Sequence, residues 1–269
     1  MTQRQPIGIF DSGVGGLSVA KEIRKLLPCE DLLYYADTAY CPYGEKDPAV
    51  IRQREKNIVK FLLSRGAKLI VVACNTASSA GLEELRNLFA VPIVGMEPGV
   101  KPAVAASRNG TIGVLATGVT IAGDRFAALV KRYAEHTRVI TQPCPGLVEL
   151  IESGKLADPE TEKVLQGFLR PMLEQGADTI VLGCTHYPFL RPLIERLAGS
   201  DIAVIDTGAA VAKQVQKVLF EHNLAVPEGP PGSEQFFTSG NPQEVAKVMR
   251  TLWLHDNLQV QSLPLKTTE

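Results

Sequence analysis

The chain has 269 residues, 45% of them hydrophobic and 21% charged, with a formal net charge of −1; that is longer than one hydrophobic core usually grows, so two domains are expected. No basic block marks nucleic acid or an anionic membrane as a partner, and no apolar run approaches the ~18 residues a membrane span needs. The apolar run after Arg4 is too short for a secretion signal, and the five cysteines are odd in number and form no CxxC pair, which points to free thiols in a cytoplasmic protein.

Short runs rich in Val and Ile alternate with longer segments of helical spacing. Ile7–Phe10 reads as a strand and Leu17–Leu27 as a helix, followed by a strand at Leu32–Ala36 and a helix at Pro48–Arg65. The next strand, Leu69–Ala73, leads through Cys74-Asn75-Thr76 to a helix at Leu82–Phe89 and a strand at Ile93–Val94. The alternation continues with strands at Ile112–Ala116 and Val139–Ile140 on either side of a helix at Arg125–Tyr133. A helix at Glu160–Gln175 precedes strands at Ile180–Gly183 and Val204–Ile205, and a helix follows at Ala209–Phe220. Pro227–Ser233 is a loop and Leu263–Glu269 reads as a frayed tail. Apolar strands without polar alternation are those buried on both faces, so the pattern predicts parallel α/β architecture.

Internal similarity organises the chain further. GAKLIVVAC at 66–74 is echoed by GADTIVLGC at 176–184, and IGIFDSG at 7–13 by IGVLATG at 112–118. A weaker echo pairs VPIVGMEPG at 91–99 with IAVIDTGAA at 202–210. Buried strands resemble one another in composition alone, but three pairs in the same order at nearly constant offset predict duplication. The expected fold is α/β, with two similar Rossmann-like lobes of mostly parallel sheet related by a pseudo-twofold and a site in the cleft between them.

In such sheets ligands bind beyond the carboxyl ends of the strands. Asp11-Ser12-Gly13, Cys74-Asn75-Thr76, Ala116-Thr117-Gly118 and Cys184-Thr185-His186 all fall there. Cys29, Cys41 and Cys144 read as small buried hydrophobes. Cys74 and Cys184 stand apart because they occupy the same strand-end position in the repeat, and each is expected to begin a helix. Two thiols facing one carbon suit racemisation, in which a proton leaves one face and another arrives on the opposite face. A helix N-terminus or a neighbouring cation favours the thiolate that this needs. Asp11 could accept a proton or orient Cys74, and His186 could do the same for Cys184. Ser12, Asn75, Thr76, Thr117, Thr120 and Thr185 would place donors where charge develops, although helix capping uses the same residue types.

Other chemistries fit less well. IGIFDSGVGGLS starts like a dinucleotide fold, with Asp37 after the second strand, but Ser18 stands where the third glycine belongs. No lysine occupies any of the four strand ends, as a pyridoxal enzyme would need, and His136, His222 and His255 show no metal-ligand spacing. Two similar lobes around a cleft would also suit a solute-binding protein.

The strings IGIFDSGVGGLSV, YADTAYCPYG, VVACNTAS, GCTHYPFL and IDTG, with TSGNP at 238–242, resemble the glutamate racemases of the cofactor-independent aspartate/glutamate racemase superfamily. The resemblance implies that Cys74 deprotonates D-glutamate and Cys184 deprotonates L-glutamate, assisted by Asp11 and His186. It further implies substrate contacts from Asp11, Ser12, Tyr43, Gly44, Asn75, Thr76, Thr117, Thr120, Thr185 and His186, with Glu152 near the substrate ammonium. No cofactor, metal, nucleic-acid or membrane partner is implied, and a homodimer is left open. The family's inserted second lobe implies domains at 1–97 plus 207–269 and at 98–206, and a role in supplying D-glutamate for bacterial peptidoglycan. Racemisation of aspartate or another amino acid is the alternative within the superfamily.

Overall fold

The computed structural model describes residues 4–265. Its strands are β1 (Ile7–Asp11), β2 (Leu32–Ala36), β3 (Leu69–Val72), β4 (Ile93–Gly95), β5 (Thr111–Ala116), β6 (Arg138–Pro143), β7 (Thr179–Leu182), β8 (Ala203–Ile205), β9 (Glu234–Thr238) and β10 (Val260–Ser262). They form two sheets, a six-stranded one in the order β10-β9-β2-β1-β3-β4 and a four-stranded one in the order β6-β5-β7-β8. Every pairing is parallel.

The two sheets share one plan. Ile7 pairs with Leu69 and Ile70 with Ile93 in the first sheet, while Ile112 pairs with Thr179 and Ile180 with Val204 in the second. These are the same positions in the three sequence echoes, so the repeated strings occupy equivalent strands in equivalent register. In each sheet the first strand lies between the next strand in sequence and the one after it. That arrangement opens a crevice at the carboxyl ends, between β1 and β3 and between β5 and β7.

Both faces of the first sheet are covered, which is why its strands lack polar alternation. Ile7, Ile9, Leu32 and Tyr34 join one apolar cluster, while Phe10, Leu33, Tyr35 and Ile70 join another on the opposite face. The helices are α1 (Leu17–Leu26), α2 (Pro48–Ser64), α3 (Asn75–Leu88), α4 (Val100–Ala106), α5 (Gly118–Ala122) and α6 (Asp124–Tyr133), then α7 (Leu147–Glu152), α8 (Pro159–Glu174), α9 (Arg191–Ala198), α10 (Gly208–Glu221) and α11 (Pro242–Trp253). α10 packs on α1 beside the first sheet and α4 against β5, β7 and β8 of the second.

Three expectations are corrected. The helix expected at Leu82 begins at Asn75, because the Cys74 sulfur itself caps it by accepting the Ala77 N–H at 3.4 Å. Cys184 does not begin a helix: Pro188 would clash with the carbonyl four residues back, which is that of Cys184. The chain makes a turn and a 3-10 segment at Tyr187–Leu190 before α9. The tail at Leu263–Leu265 is docked rather than frayed. Leu263 N–H donates to the Thr238 carbonyl, Tyr35 Oη–H to the Leu263 carbonyl, and Arg54 to the Leu265 carbonyl at 2.6 Å. The rest of that expected tail, residues 266–269, lies outside the described residues. The elements β9, α11 and β10, and the short helices α4, α5 and α7, were not expected. No helix among the described residues is long and apolar enough to cross a membrane, and all five cysteines are free.

Candidate active site

β1 ends at Asp11, which is fully buried. One carboxylate oxygen accepts the N–H groups of Gly13 and Gly16 at 3.2 and 3.0 Å, and the other accepts the Thr185 hydroxyl at 3.3 Å. Burial raises the Asp11 pKa above its ordinary value; His186 opposes the shift and Glu152 adds to it. Beside it, at the end of β3, the Cys74 thiol donates to Ser12 Oγ at 3.9 Å. Burial, reinforced by the charge on Asp11, lifts this thiol well above the usual range, against the pull of the Ala77 N–H. Cys74 is therefore held as a neutral, proton-carrying thiol.

Asn75 and Thr76 open α3, with the Asn75 carboxamide oxygen buried and unpartnered among the described residues. The Thr76 hydroxyl meets Thr117 Oγ1 at 2.9 Å and Thr120 Oγ1 at 3.5 Å, across the cleft at the end of β5. Thr117 also caps α5 by accepting the Thr120 N–H.

The second thiol, Cys184 at the end of β7, is buried with its sulfur 3.7 Å from His186 Nδ1. The other ring nitrogen stands 2.6 Å from Glu152 Oε1, which also accepts the Val14 N–H at 2.7 Å. Burial alone would lower the His186 pKa. Hydrogen bonds to Cys184, Cys41 and Glu152 outweigh it and hold the imidazole well above its ordinary value. Cys184 thus faces a cation, the partner a thiolate requires. The glycines of GVGG allow this approach: a Cβ at Gly13 would overlap the Glu152 carboxylate, and one at Gly15 the His186 ring.

The site residues read from the sequence converge on this cleft, with two refinements. Glu152, expected near a substrate ammonium, has its Oε1 bonded to His186 and Val14. Tyr43 turns its hydroxyl away, donating to Asp37 at 2.6 Å, where Arg54 also binds both carboxylate oxygens at 2.9 and 2.7 Å. That leaves Gly44 packed on Thr117, a Cβ there meeting the Thr117 side chain at 2.8 Å. The acidic Asp37 is therefore occupied by an arginine and a tyrosine, not free to read a ribose.

Cys41, which reads in sequence as a small buried hydrophobe, lies against His186 in the structure. It is partly buried and bonds His186, and burial with the Glu152 charge pushes its thiol up to about 12. Its place in CPYG, beside the string that supplies Tyr43 and Gly44, was the available signal. Cavities of about 500 and 210 Å³ flank the cleft, the first lined by Cys41 and Glu152, the second by Gly44 and Thr117.

The family model for Asp/Glu/Hydantoin racemase matches residues 8–215. A glutamate racemase from Pseudomonas entomophila is 54% identical over 97% of this chain and 98% of its own. Among solved structures, the glutamate racemase isoform RacE1 from Bacillus anthracis superposes with a TM-score of 0.87 at 30% identity, covering 98% of this chain and 100% of that one. The Escherichia coli glutamate racemase, in complex with L-glutamate and the activator UDP-MurNAc-Ala, gives 0.84 at 34% identity, covering 96% and 97%. By its sequence, its fold and the paired thiols at its strand ends, the chain belongs to the Asp/Glu/Hydantoin racemase family and with it to the isomerases.

Proposed function

We propose that the protein interconverts L- and D-glutamate by transferring protons at the α-carbon between two thiols, without a cofactor. The observation that carries this is the equivalent placement of Cys74 and Cys184, at the ends of matching strands β3 and β7. Their opposite electrostatics support a direction for each. Cys184 beside a cationic His186 takes the α-proton of L-glutamate, and the neutral Cys74 thiol delivers its proton to the other face. The reverse reaction begins from Cys74 as the base, with Asp11 as its acceptor or orienting group.

As the α-proton leaves, charge grows on the α-carboxylate. Ser12, Thr76, Thr117, Thr120, Thr185 and the local backbone N–H groups supply donors for it and for the side-chain carboxylate. The hydroxyl triangle of Thr76, Thr117 and Thr120 would exchange its mutual bonds for bonds to substrate. The unpartnered Asn75 carboxamide oxygen is a ready acceptor for the substrate ammonium. Gly44 offers backbone, while Tyr43 sets the position of that loop. The lobes are taken as 1–97 plus 207–269 and 98–206, consistent with strand membership of the two sheets. The accompanying role is supply of D-glutamate for peptidoglycan in the cytoplasm.

Incubation with L-glutamate in heavy water should yield D-glutamate carrying deuterium at the α-carbon, and Cys74→Ala and Cys184→Ala should each lose turnover by orders of magnitude. A requirement for pyridoxal phosphate, or normal turnover by either variant, would falsify the two-thiol reaction. A panel including aspartate decides the substrate.

A further inference from the structure

His186 is a meeting point for three kinds of metal-ligating atom. The Cys41 sulfur, a Glu152 carboxylate oxygen and a His186 ring nitrogen all lie within 4.8 Å of one another. They come from three separate segments: the loop after β2, the end of α7 and the turn after β7. A tetrahedral zinc site with bonds of ~2.0–2.3 Å needs ligand separations of roughly 3.3–3.8 Å. Side-chain movements of about an ångström therefore close the cluster around a cation. The 2.6 Å approach of His186 to Glu152 widens as a metal takes the place of the proton between them. The adjoining cavity of about 500 Å³, lined by Cys41, Glu152 and Glu149, gives a route in and room for a water as fourth ligand.

The structure assigns Cys41, Glu152 and His186 as a binding site for a zinc-type divalent cation, one that inhibits the enzyme. A mixed thiolate, imidazole and carboxylate set suits zinc or cobalt and not magnesium or calcium, which prefer oxygen. A bound divalent cation supplies the positive charge that a coordinating sulfur needs. Inhibition follows from where the ligands reside. Cys41 follows a strand of the first sheet, whereas Glu152 and His186 belong with the second. A cation held by all three ties the two halves of the cleft together and takes up the nitrogen that now faces Glu152. Substrate exchange and the cation beside Cys184 are both affected.

The inhibitory part rests on the racemase reading, whereas the site itself does not. Cobalt(II) alone, titrated into the metal-free full-length protein, should give one thiolate-to-cobalt charge-transfer band per chain. The band should vanish in Cys41→Ser, weaken in affinity on the order of tenfold or more in Glu152→Gln, and persist in Cys74→Ser and Cys184→Ser. Zinc should slow racemisation reversibly, relieved by a chelator, and Cys41→Ser should resist the same zinc concentration relative to its own zinc-free rate. A band that survives Cys41→Ser but disappears with Cys184→Ser would move the metal to the catalytic thiols and overturn the assignment. So would the absence of any band in the unmodified protein. If cobalt binds as expected but glutamate is not racemised, the site stands and the function fails.

Discussion

Replacing Glu152 with glutamine removes one charge and almost nothing else. Its carboxylate oxygen accepts the Val14 N–H at 2.7 Å and stands 2.6 Å from His186 Nε2, with the side chain 18% exposed. The amide keeps the shape and an acceptor for Val14, but no longer stabilises the imidazolium with a negative charge. A hydrogen bond assisted by charge contributes about 1.5–3 kcal/mol, and one pKa unit corresponds to about 1.36 kcal/mol. His186 in Glu152→Gln should therefore titrate lower, back toward its ordinary range, because a stabilising hydrogen bond to a charged partner is lost. Where the imidazolium is needed beside Cys184, kcat/KM should fall roughly ten- to 150-fold. The enantiomers have equal free energy, so it must fall by the same factor from L- and from D-glutamate.

The assay is polarimetric racemisation across the neutral and alkaline range, with the His186 ring followed in parallel by NMR. The alkaline limb of the profile should move down with the ring's titration. Stability gives a second readout. A histidine whose folded pKa is raised contributes fully below its ordinary value of about 6.5, and that contribution disappears as pH rises through the folded value. Glu152→Gln should thus cost stability in acid and neutral solution and little at strongly alkaline pH. A rate loss with an unmoved alkaline limb and an unchanged ring titration would refute the role given to the pair.

Two further outcomes follow from close packing. Gly15→Ala places a methyl within 2.6 Å of His186 Cγ; because displacement of a catalytic group by an ångström costs about 10²-fold, turnover should fall by that order, and activity within a few-fold of normal would mean that His186 has other room. Glu55 on α2 is fully buried with both carboxylate oxygens unpartnered among the described residues, and burial, with Glu84 adding, holds its pKa well above the ordinary value while Arg52 and Lys56 oppose. The stability it contributes is present below its ordinary pKa of about 4.3 and is lost as pH rises through the folded value, so Glu55→Gln should melt higher than the unmodified chain at alkaline pH and converge with it in acid; a pH-independent difference would contradict this.

Much of this protein was legible in one dimension because duplication made the sequence its own comparison. The strings GAKLIVVAC and GADTIVLGC identified matching strands, and the cysteine closing each marked the two halves of one site. Strands buried on both faces announce themselves by uninterrupted Val and Ile, so β1, β2, β3, β5 and β7 could be placed closely. β9, α11 and β10 could not, since the two strands are short and mixed in composition, β10 lies at the sheet edge, and β9 pairs with β2 some two hundred residues away. Local spacing also misjudged the two thiols, giving both a helix to cap. Only Cys74 has one, because Pro188 diverts the chain after Cys184.

What tertiary structure alone decided is the electrostatic inequality of the pair. Cys74 is buried beside another acid and keeps its proton, whereas Cys184 faces a histidine charged through Glu152 and Cys41. Glu152 reaches that histidine from α7, and Cys41 from a loop on the other sheet, so no spacing along the chain could reveal either contact. Composition and periodicity determine which segments are strands and which strand ends carry chemistry. The charge state of a thiol depends on every group within a few ångströms and on the water excluded around it, and those are set only when the two sheets close on one another.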